Sequence, residues 1–284
     1  MASLKEIKGR IASVKSTLKI TSAMKMVASA KLHKAQLAIE GMRRYQAGLE
    51  CTLSELLRSV PLSGEYLRAG GLHEVALVCF SSNSSLCGGF NANAIRAVKS
   101  RISALESEGA HVTVYSVGRK IAEAMRSAGH PSPSDWSELS GKPSYDGAAG
   151  LAGMLVKDFL DGKYDRIELI YNHFVSVGSQ KVINETFLPL QGIVSGEEVD
   201  SDEYILEPGG KELVSALIPK TLRLKIYTTL LDAAAAEHAA RTVAMQMATD
   251  NGEGLLQELS LEYNKGRQQK ITSEILDLVG GMQQ

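Results

Sequence analysis

The chain has 284 residues, of which 44% are hydrophobic and 22% are charged. This composition excludes a disordered protein and provides enough material for one large domain or two modest ones. No apolar run approaches the roughly 18 residues that a membrane-spanning helix needs, and the N-terminus lacks the apolar region of a secretory signal. The three cysteines form no CxxC pair, so the sequence predicts neither a disulfide framework nor a zinc site and favours a reducing compartment.

Positive charge is concentrated near the N-terminus. The whole chain has a net charge of −1, but residues 1–44 hold ten Lys or Arg against Glu6 and Glu40, which leaves +8 in that segment. Such asymmetry suggests a polyanionic partner, which could be nucleic acid, anionic lipid or an acidic protein surface. Because Tyr45 is the one aromatic residue near this segment, a basic face that meets acidic protein or solvent fits at least as well as nucleic-acid binding.

The first sixty residues repeat with a strict seven-residue period. With Leu4 as position a, the a and d positions are Leu4, Ile7, Ile11, Val14, Leu18, Thr21, Lys25, Ala28, Leu32, Ala35, Ile39, Met42, Gln46, Leu49, Leu53, Leu56 and Val60. Only Thr21, Lys25 and Gln46 are not apolar, so the pattern predicts a left-handed coiled-coil helix over residues 1–60, roughly 85 Å long. Lys25 either sets the register, faces a contact where the coil opens, or is solvated by a local rotation of the helix.

The middle of the chain, residues 73–196, has a different pattern. Apolar, β-rich runs at 74–82, 111–117, 166–175 and 181–190 predict strands, and helical patterns at about 91–108, 118–129 and 147–161 lie between the first three of them. Strands that alternate with helices indicate a mostly parallel sheet with helices on its faces. We expect the acidic residues 196–210 to form a loop that links this domain to the C-terminal segment.

The C-terminal segment, residues 211–284, is rich in alanine, and small side chains let two helices approach closely. Gly252 and Gly254 each cost such a helix about 1 kcal/mol relative to alanine, and Pro219 predicts a break or a late start. The predicted fold class is therefore α/β: a long antiparallel coiled coil of N- and C-terminal helices with an inserted, Rossmann-like, mostly parallel α/β domain.

A glycine-bearing turn follows the first predicted strand, in the stretch SSNSSLCGGFNANAI. Such a turn can cradle a phosphate, but the chain contains neither GxGxxG nor GxxxxGK[ST]. The more economical interpretation is that Gly88 and Gly89 allow a tight turn, that Asn91 caps the next helix, and that Cys87 is a structural thiol. No HExxH or other catalytic constellation occurs, so we expect no catalytic residue, no metal site and no cofactor.

Four long, ungapped stretches resemble the gamma subunit of F-type ATP synthases. They are LKEIKGRIASVKSTLKITSAMKMVASAKLHKAQ, SLCGGFNAN, LLDAAAAEHAARTVAMQMATDN and YNKGRQQKITSEILDLVGG. The resemblance runs from end to end, and it implies a non-catalytic subunit that serves as the central rotor shaft. Such a shaft couples ion-driven rotation of the membrane c-ring to conformational cycling, and so to ATP synthesis or hydrolysis, at the beta subunits of the alpha3beta3 head.

The resemblance also implies particular contacts. The tip at residues 271–284 would sit in the apolar bearing of the head. The resemblance matches Arg267 and Gln268 to the family's contact with a beta-subunit catch loop, with Thr272 and Glu274 nearby. Met24 and Lys25 match the shaft region beside an acidic beta-subunit loop, and Arg241 matches the facing helix there. The α/β domain and the lower coiled coil would meet the epsilon subunit and the c-ring. This implies a peripheral membrane protein on the cytoplasmic face of a bacterial inner membrane or an equivalent energy-transducing membrane, with no nucleic-acid partner.

The sequence departs from the family pattern in two places. The usual charged SDRG before LCGGF is SNSS here, from Ser82 to Ser85, and Gly266 replaces the usual alanine beside Arg267. The cysteine pair of the thiol-regulated chloroplast type has no counterpart, so we expect no redox switch. Two other classes stay open from the residues alone: a doubly wound nucleotide- or substrate-binding enzyme with helical arms, and a nucleic-acid-binding coiled coil driven by the basic segment.

Overall fold

The computed structural model describes residues 3–59, 66–67, 71–190, 207 and 209–281, and within these ranges the side chains of all but residues 58, 59 and 277–281. The chain divides into two compact units, one of residues 1–28 with 241–284 and the other of residues 29–240. Two helices contribute to both units: α1 (Leu4–Ser59) and α6 (Gly210–Gly281). Among the described residues, no helix is both long enough and apolar enough to span a membrane.

In the first unit, α1 and α6 pack against each other in opposite directions. Leu4 lies beside Gly266 and Leu18 beside Gly252, while the hydroxyl oxygens of Thr21 and Thr249 are 2.9 Å apart. Residue numbers therefore rise along one helix as they fall along the other, which is the antiparallel pairing that the heptads predict. Glycine fits at position 252 because an added Cβ there would lie only 2.7 Å from a Leu18 methyl carbon.

The heptad prediction is confirmed along α1 itself. Every a and d position from Leu4 to Leu56 is buried or partly buried. The polar Thr21 is accommodated because its hydroxyl also donates to the carbonyl oxygen of Leu18, at 3.2 Å. Lys25 is partly buried, in step with its apolar neighbours, so the helix has not rotated locally to solvate it.

The second unit contains a four-stranded sheet whose order is β2-β1-β3-β4. Its strands are β1 (Glu74–Phe80), β2 (His111–Val117), β3 (Arg166–Ser176) and β4 (Ser179–Leu188), and its helices are α2 (Phe90–Ser107), α3 (Arg119–Ser127), α4 (Ser137–Gly141) and α5 (Tyr145–Leu160). β1 pairs in parallel with both β2 and β3, whereas β4 returns antiparallel beside β3. The predicted mostly parallel sheet is thus confirmed, and with it the fold class.

Both faces of the central strand β1 are buried, which explains its continuous apolar sequence. Because successive side chains point to opposite faces of a strand, Val75, Leu77 and Cys79 pack against α2 and α3. The alternate residues, Ala76 and Val78 among them, face a second core that also contains residues of α5, α1 and α6. The sheet is therefore held between two helical layers, and one of those layers includes the paired terminal helices.

Helix α6 joins that second core along a stripe with four-residue spacing, made of Val214, Ile218, Leu222, Ile226 and Leu230. The prediction of a break or late start at Pro219 is wrong, because α6 begins at Gly210 and continues through the proline. A proline inside a helix removes one hydrogen bond and costs about 3 kcal/mol. Burial of the neighbouring Ile218 and Leu222 in the core offsets that cost.

Asn91 does not cap α2: the capping residue is Gly89, and the Asn91 side chain instead accepts the backbone N–H of Ser82 at 3.1 Å. The short helix α4 was not predicted, since five residues are too few to show a helical period. The loop predicted at residues 196–210 lies, except at its end, outside the described residues.

Candidate partner-binding surface

Residues 267–276 of α6 are exposed on all sides of the helix. Leu4 is the first residue of α1 and lies opposite Gly266, so α6 has no partner helix beyond that point in the described structure of its unit. Every residue from 267 to 276 is exposed. Among them, Ile271, Ile275 and Leu276 are large apolar residues, with 46%, 55% and 64% of their surface accessible. An apolar patch this exposed indicates a surface that another molecule covers.

Arg267 and Gln268, which the resemblance matches to a catch-loop contact, lie in this exposed segment together with Thr272 and Glu274. The side chains of Arg267 and Gln268 are exposed. The Thr272 hydroxyl donates to the carbonyl oxygen of Gln268 at 2.9 Å, and Glu274 forms a loose 3.7 Å ion pair with Lys270 one turn away. These local interactions leave the guanidinium and amide of residues 267 and 268 available to bind another chain.

Met24, Lys25 and Arg241 lie on the paired part of the first unit and are all partly exposed. In the register set by Thr21 and Thr249, Arg241 falls about one turn of helix beyond Lys25 along the pair. The three residues therefore share one region of the helix pair. The lysines at positions 5, 8, 15 and 19 of α1 are exposed as well, so the basic segment presents its charge outward.

The turn after β1 forms a closed polar network. Gly88 has a φ of +57°, which agrees with the tight turn expected of it. The Asn91 amide donates to the Ser82 hydroxyl at 2.8 Å, and Cys87 is buried beside both residues, as a structural thiol would be.

Asn83 belongs to the SNSS segment that departs from the family pattern, and its side chain has a structural role that can be identified. Its amide oxygen accepts the backbone N–H of Arg119 at 2.9 Å, and its amide nitrogen donates to the carbonyl oxygen of Ser137 at 2.7 Å. An aspartate could make the first bond but has no proton to donate for the second. Asparagine at position 83 therefore links α3 to α4 in a way that the usual aspartate could not.

The crevice where doubly wound sheets bind ligands is filled by the chain itself. In this sheet order, the switch point lies at the carboxyl ends of β1 and β3. There Phe90 and Phe174 pack against Ala236 and Ala240 of α6, and the Asn172 amide donates to the Phe90 carbonyl oxygen at 3.4 Å. The small alanines let α6 pack closely against the sheet at this switch point.

The described residues also lack any group of three or more His, Cys, Asp or Glu side chains arranged to hold a metal ion. Sequence reasoning missed one polar cluster, in which Asp232 of α6 contacts His173 of β3 and Arg43 of α1. The cluster was missed because its members are far apart along the chain. Its signal in the sequence was a carboxylate within an otherwise apolar, alanine-rich run.

Comparison with known proteins agrees with the geometry. The sequence profile of a family described as ATP synthase matches residues 3–284. The chain is 50% identical to the ATP synthase gamma chain of Bacteroides fragilis over 99% of both chains, and 43% identical to that of Flavobacterium johnsoniae over 99% of this chain and 98% of the relative.

Solved structures share the fold at low sequence identity. A chain of the Euglena gracilis mitochondrial ATP synthase, in rotational state 3, superposes with a TM-score of 0.67 at 20% identity, over 98% of this chain and 93% of that one. A chain of the Tetrahymena thermophila central stalk and c-ring structure gives 0.58 at 22% identity, over 81% of this chain and 99% of that one. The sequence identity of 43–50% with curated relatives over nearly the full length shows that the chain belongs to the ATP synthase gamma chain family.

Proposed function

We propose that this chain is the central rotor shaft of an F-type ATP synthase and a non-catalytic subunit of that complex. The observation that carries the proposal is the C-terminal end of α6. There a helix leaves its partner at Gly266 and exposes Ile271, Ile275 and Leu276. A helix end with such a surface is suited to an apolar bearing formed by other subunits.

The shaft would act by being asymmetric inside a ring of three equivalent beta subunits. Three identical subunits cannot make the same contacts with one asymmetric helix pair. Each beta subunit is then biased toward a different conformation by the difference in contact free energy. Moving one such equilibrium from 1:99 to 99:1 takes about 5.5 kcal/mol of differential binding. Rotation of the shaft exchanges these biases among the subunits and with them their nucleotide affinities.

The partners in this proposal are the alpha and beta subunits around the helix pair, and the epsilon subunit and c-ring at the α/β domain and the lower coiled coil. The exposed lysines of α1 would meet acidic loops of the beta subunits, with attraction screened beyond about 8 Å at physiological salt. The chain binds no nucleic acid and no cofactor of its own, and it acts as a peripheral protein on the cytoplasmic face of a bacterial inner membrane or an equivalent membrane.

The proposed catch-loop contact is tested by changing Arg267→Ala and Gln268→Ala together in the reconstituted ATP synthase. We expect ATP synthesis and rotational torque to fall severalfold, because both side chains are exposed in the chain alone and available to a partner. A matched control is Gln257→Ala, at an exposed position on the paired part of α6, which should leave both quantities unchanged. Unchanged torque in the double variant would refute the assignment of these two residues.

A broader test compares the three functional classes. The full chain is purified from membranes under mild conditions, and its partners are identified. Recovery of alpha and beta subunits in a constant ratio supports the shaft. Tight binding of ATP or NAD by the isolated chain, or a DNA affinity with a steep salt dependence, would favour the enzyme or nucleic-acid alternative instead.

A further inference from the structure

Asp232 is a buried carboxylate of the second unit that joins three elements, α6, β3 and α1. Asp232 lies on α6 with 10% of its side chain accessible. One of its carboxylate oxygens, Oδ1, accepts the backbone N–H of Phe174 on β3 at 3.1 Å and faces Arg43 Nη2 of α1 at 3.4 Å. The other oxygen forms a short hydrogen bond with Nδ1 of His173. Because an ionised carboxylate can only accept, Nδ1 carries the proton in this bond.

The position is an unfavourable one for a charge. The flanking Leu231 and Ala233 are buried apolar residues, and a buried charge costs free energy unless it is paired and hydrogen-bonded. A leucine or alanine would suit the helix and the core better. Aspartate instead makes hydrogen bonds that depend on orientation. They form only at one rotation of α6 about its own axis and one position of α6 along β3.

The apolar contact surface around Asp232 constrains the rotation and position of α6 only weakly. Around Asp232, α6 presents alanines at positions 233, 235, 236 and 239, all buried. Small, smooth side chains pack closely but resist sliding and rotation less than interlocking large ones. Beside this surface lies an open cleft of about 270 Å³, lined in part by Arg43, Tyr171 and Thr228, so the contact is not closely packed on the side of Asp232 that faces the cleft.

A second polar link lies two turns earlier on α6. Lys225 Nζ contacts Glu185 Oε2 of β4 at 2.9 Å, and both side chains are little more than one quarter accessible. Residues 225 and 232 are separated by seven positions and so lie on one face of the helix. The β3–β4 hairpin is thus attached to α6 at two polar contacts, and Arg43 extends the one at Asp232 to α1.

We propose that Asp232 is a positioning residue that fixes the α/β sheet to the α1–α6 pair, so that torque passes between them without slip. The inference rests on the proposed shaft function and names the place within the second unit where the load is transferred. In the complex, the sheet side would be driven by the membrane rotor and the helix pair would drive the head. Loss of the three-way contact would loosen that connection while leaving the helix pair free to work inside the head.

The test uses the whole reconstituted complex in vesicles, with Asp232→Ala, Asp232→Asn and wild type compared. Three quantities are measured: ATP hydrolysis, ATP-driven ion pumping, and the angular fluctuation of a bead attached to the α/β domain while the head is stalled. For Asp232→Ala we expect hydrolysis within about 20% of wild type, pumping reduced at least about twofold and fluctuation variance increased at least about twofold. Asp232→Asn keeps an acceptor for the Phe174 N–H and should lie between the two.

A matched control separates positioning from mere stability. Glu168 lies on the same strand β3 and is even more buried, but its partners Arg101 and Asn184 belong to α2 and β4 and not to the helix pair. Glu168→Gln should therefore reduce assembly or stability without separating pumping from hydrolysis. A stiff, fully coupled Asp232→Ala complex would overturn the proposal, as would equal losses of hydrolysis and pumping with unchanged fluctuation. Rotation of the wild-type complex in the same assay tests the shaft function independently of the variants.

Discussion

At the scale of single residues, one of the best-satisfied buried charges in the described structure is Glu168 of β3, which is 2% exposed. Arg101 donates to both of its carboxylate oxygens, at 2.8 and 2.6 Å, and Asn184 donates at 2.8 Å. Burial by itself would raise the pKa of this carboxyl group. The hydrogen bonds and positive charge of Arg101, with the Asn184 bond, outweigh burial and hold the pKa below its ordinary value.

The lowered pKa predicts acid sensitivity. A group whose pKa is lower in the folded state stabilises the fold above its unfolded pKa, about 4.3 for Glu, and this stability is lost as the pH falls through the folded pKa. We expect the free energy of unfolding of the isolated chain, measured by urea titration, to decrease below about pH 4. Glu168→Gln should lower it by about 2 kcal/mol at pH 7 and flatten this acid dependence, since Arg101 loses its partner.

The control for this prediction is Glu6→Gln. Glu6 pairs with Arg10 at 3.1 Å, but both side chains are more than half exposed. Exposed pairs one turn apart contribute about 0.3–0.5 kcal/mol, so Glu6→Gln should hardly change stability. Equal effects of the two substitutions would contradict the role assigned to burial at Glu168.

At the scale of elements, α6 carries glycines whose roles differ although the sequence treats them alike. An added Cβ on Gly252 would approach a Leu18 methyl at 2.7 Å, whereas nothing lies within 4 Å of one on Gly254. The first glycine belongs to the contact between the helices and the second faces open space. The helix-interior cost of glycine is therefore offset by close packing at position 252 only.

This difference predicts opposite outcomes for the same substitution. Gly254→Ala should raise the free energy of unfolding by about 0.5–1 kcal/mol, because alanine favours the helix and meets no obstacle. Gly252→Ala should give a smaller gain or a loss, since Leu18 must move. Urea titration of both variants tests this, and the combination of Gly252→Ala with Leu18→Ala shows whether the clash is responsible. A larger gain at position 252 than at 254 would contradict the observed pairing.

At the scale of the whole molecule, the exposed apolar end of α6 is a surface that the chain alone leaves uncovered. Ile271, Ile275 and Leu276 are all large and exposed, and large apolar patches on a free protein promote association. The fold does not depend on them, because in the described part of the first unit α6 has no partner helix beyond Gly266.

The isolated chain should therefore self-associate through this end. Replacing Ile271 and Ile275 by serine should lower the associated fraction measured by sedimentation, while changing the free energy of unfolding by less than about 0.5 kcal/mol. Leu261→Ser, at an exposed position on the paired part of α6, is the matched control and should not reduce association. A large loss of stability in the double variant would show that the end of α6 packs within the chain.

The parts of the fold that could be predicted from the sequence are those encoded by a local, repeating pattern of residue types. The seven-residue period of α1 and the alternation of strands with helices depend on neighbours within a few residues, so the helix pair and the sheet class followed from them. The candidate contact residues came instead from resemblance to a family. Their exposure is consistent with that role, and their contacts with other subunits stay a prediction.

The two long helices, the mostly parallel sheet and the family could all be predicted from the amino-acid sequence, because each has a signal carried by adjacent residues. Other features could be read from the fold and not from the sequence. Helix α6 continues through Pro219, Ala236 and Ala240 pack at the switch point of the sheet, and Asp232 contacts His173 and Arg43. These features join residues that are far apart along the chain. Burial and hydrogen bonding between such residues depend on three-dimensional packing, which no local period encodes.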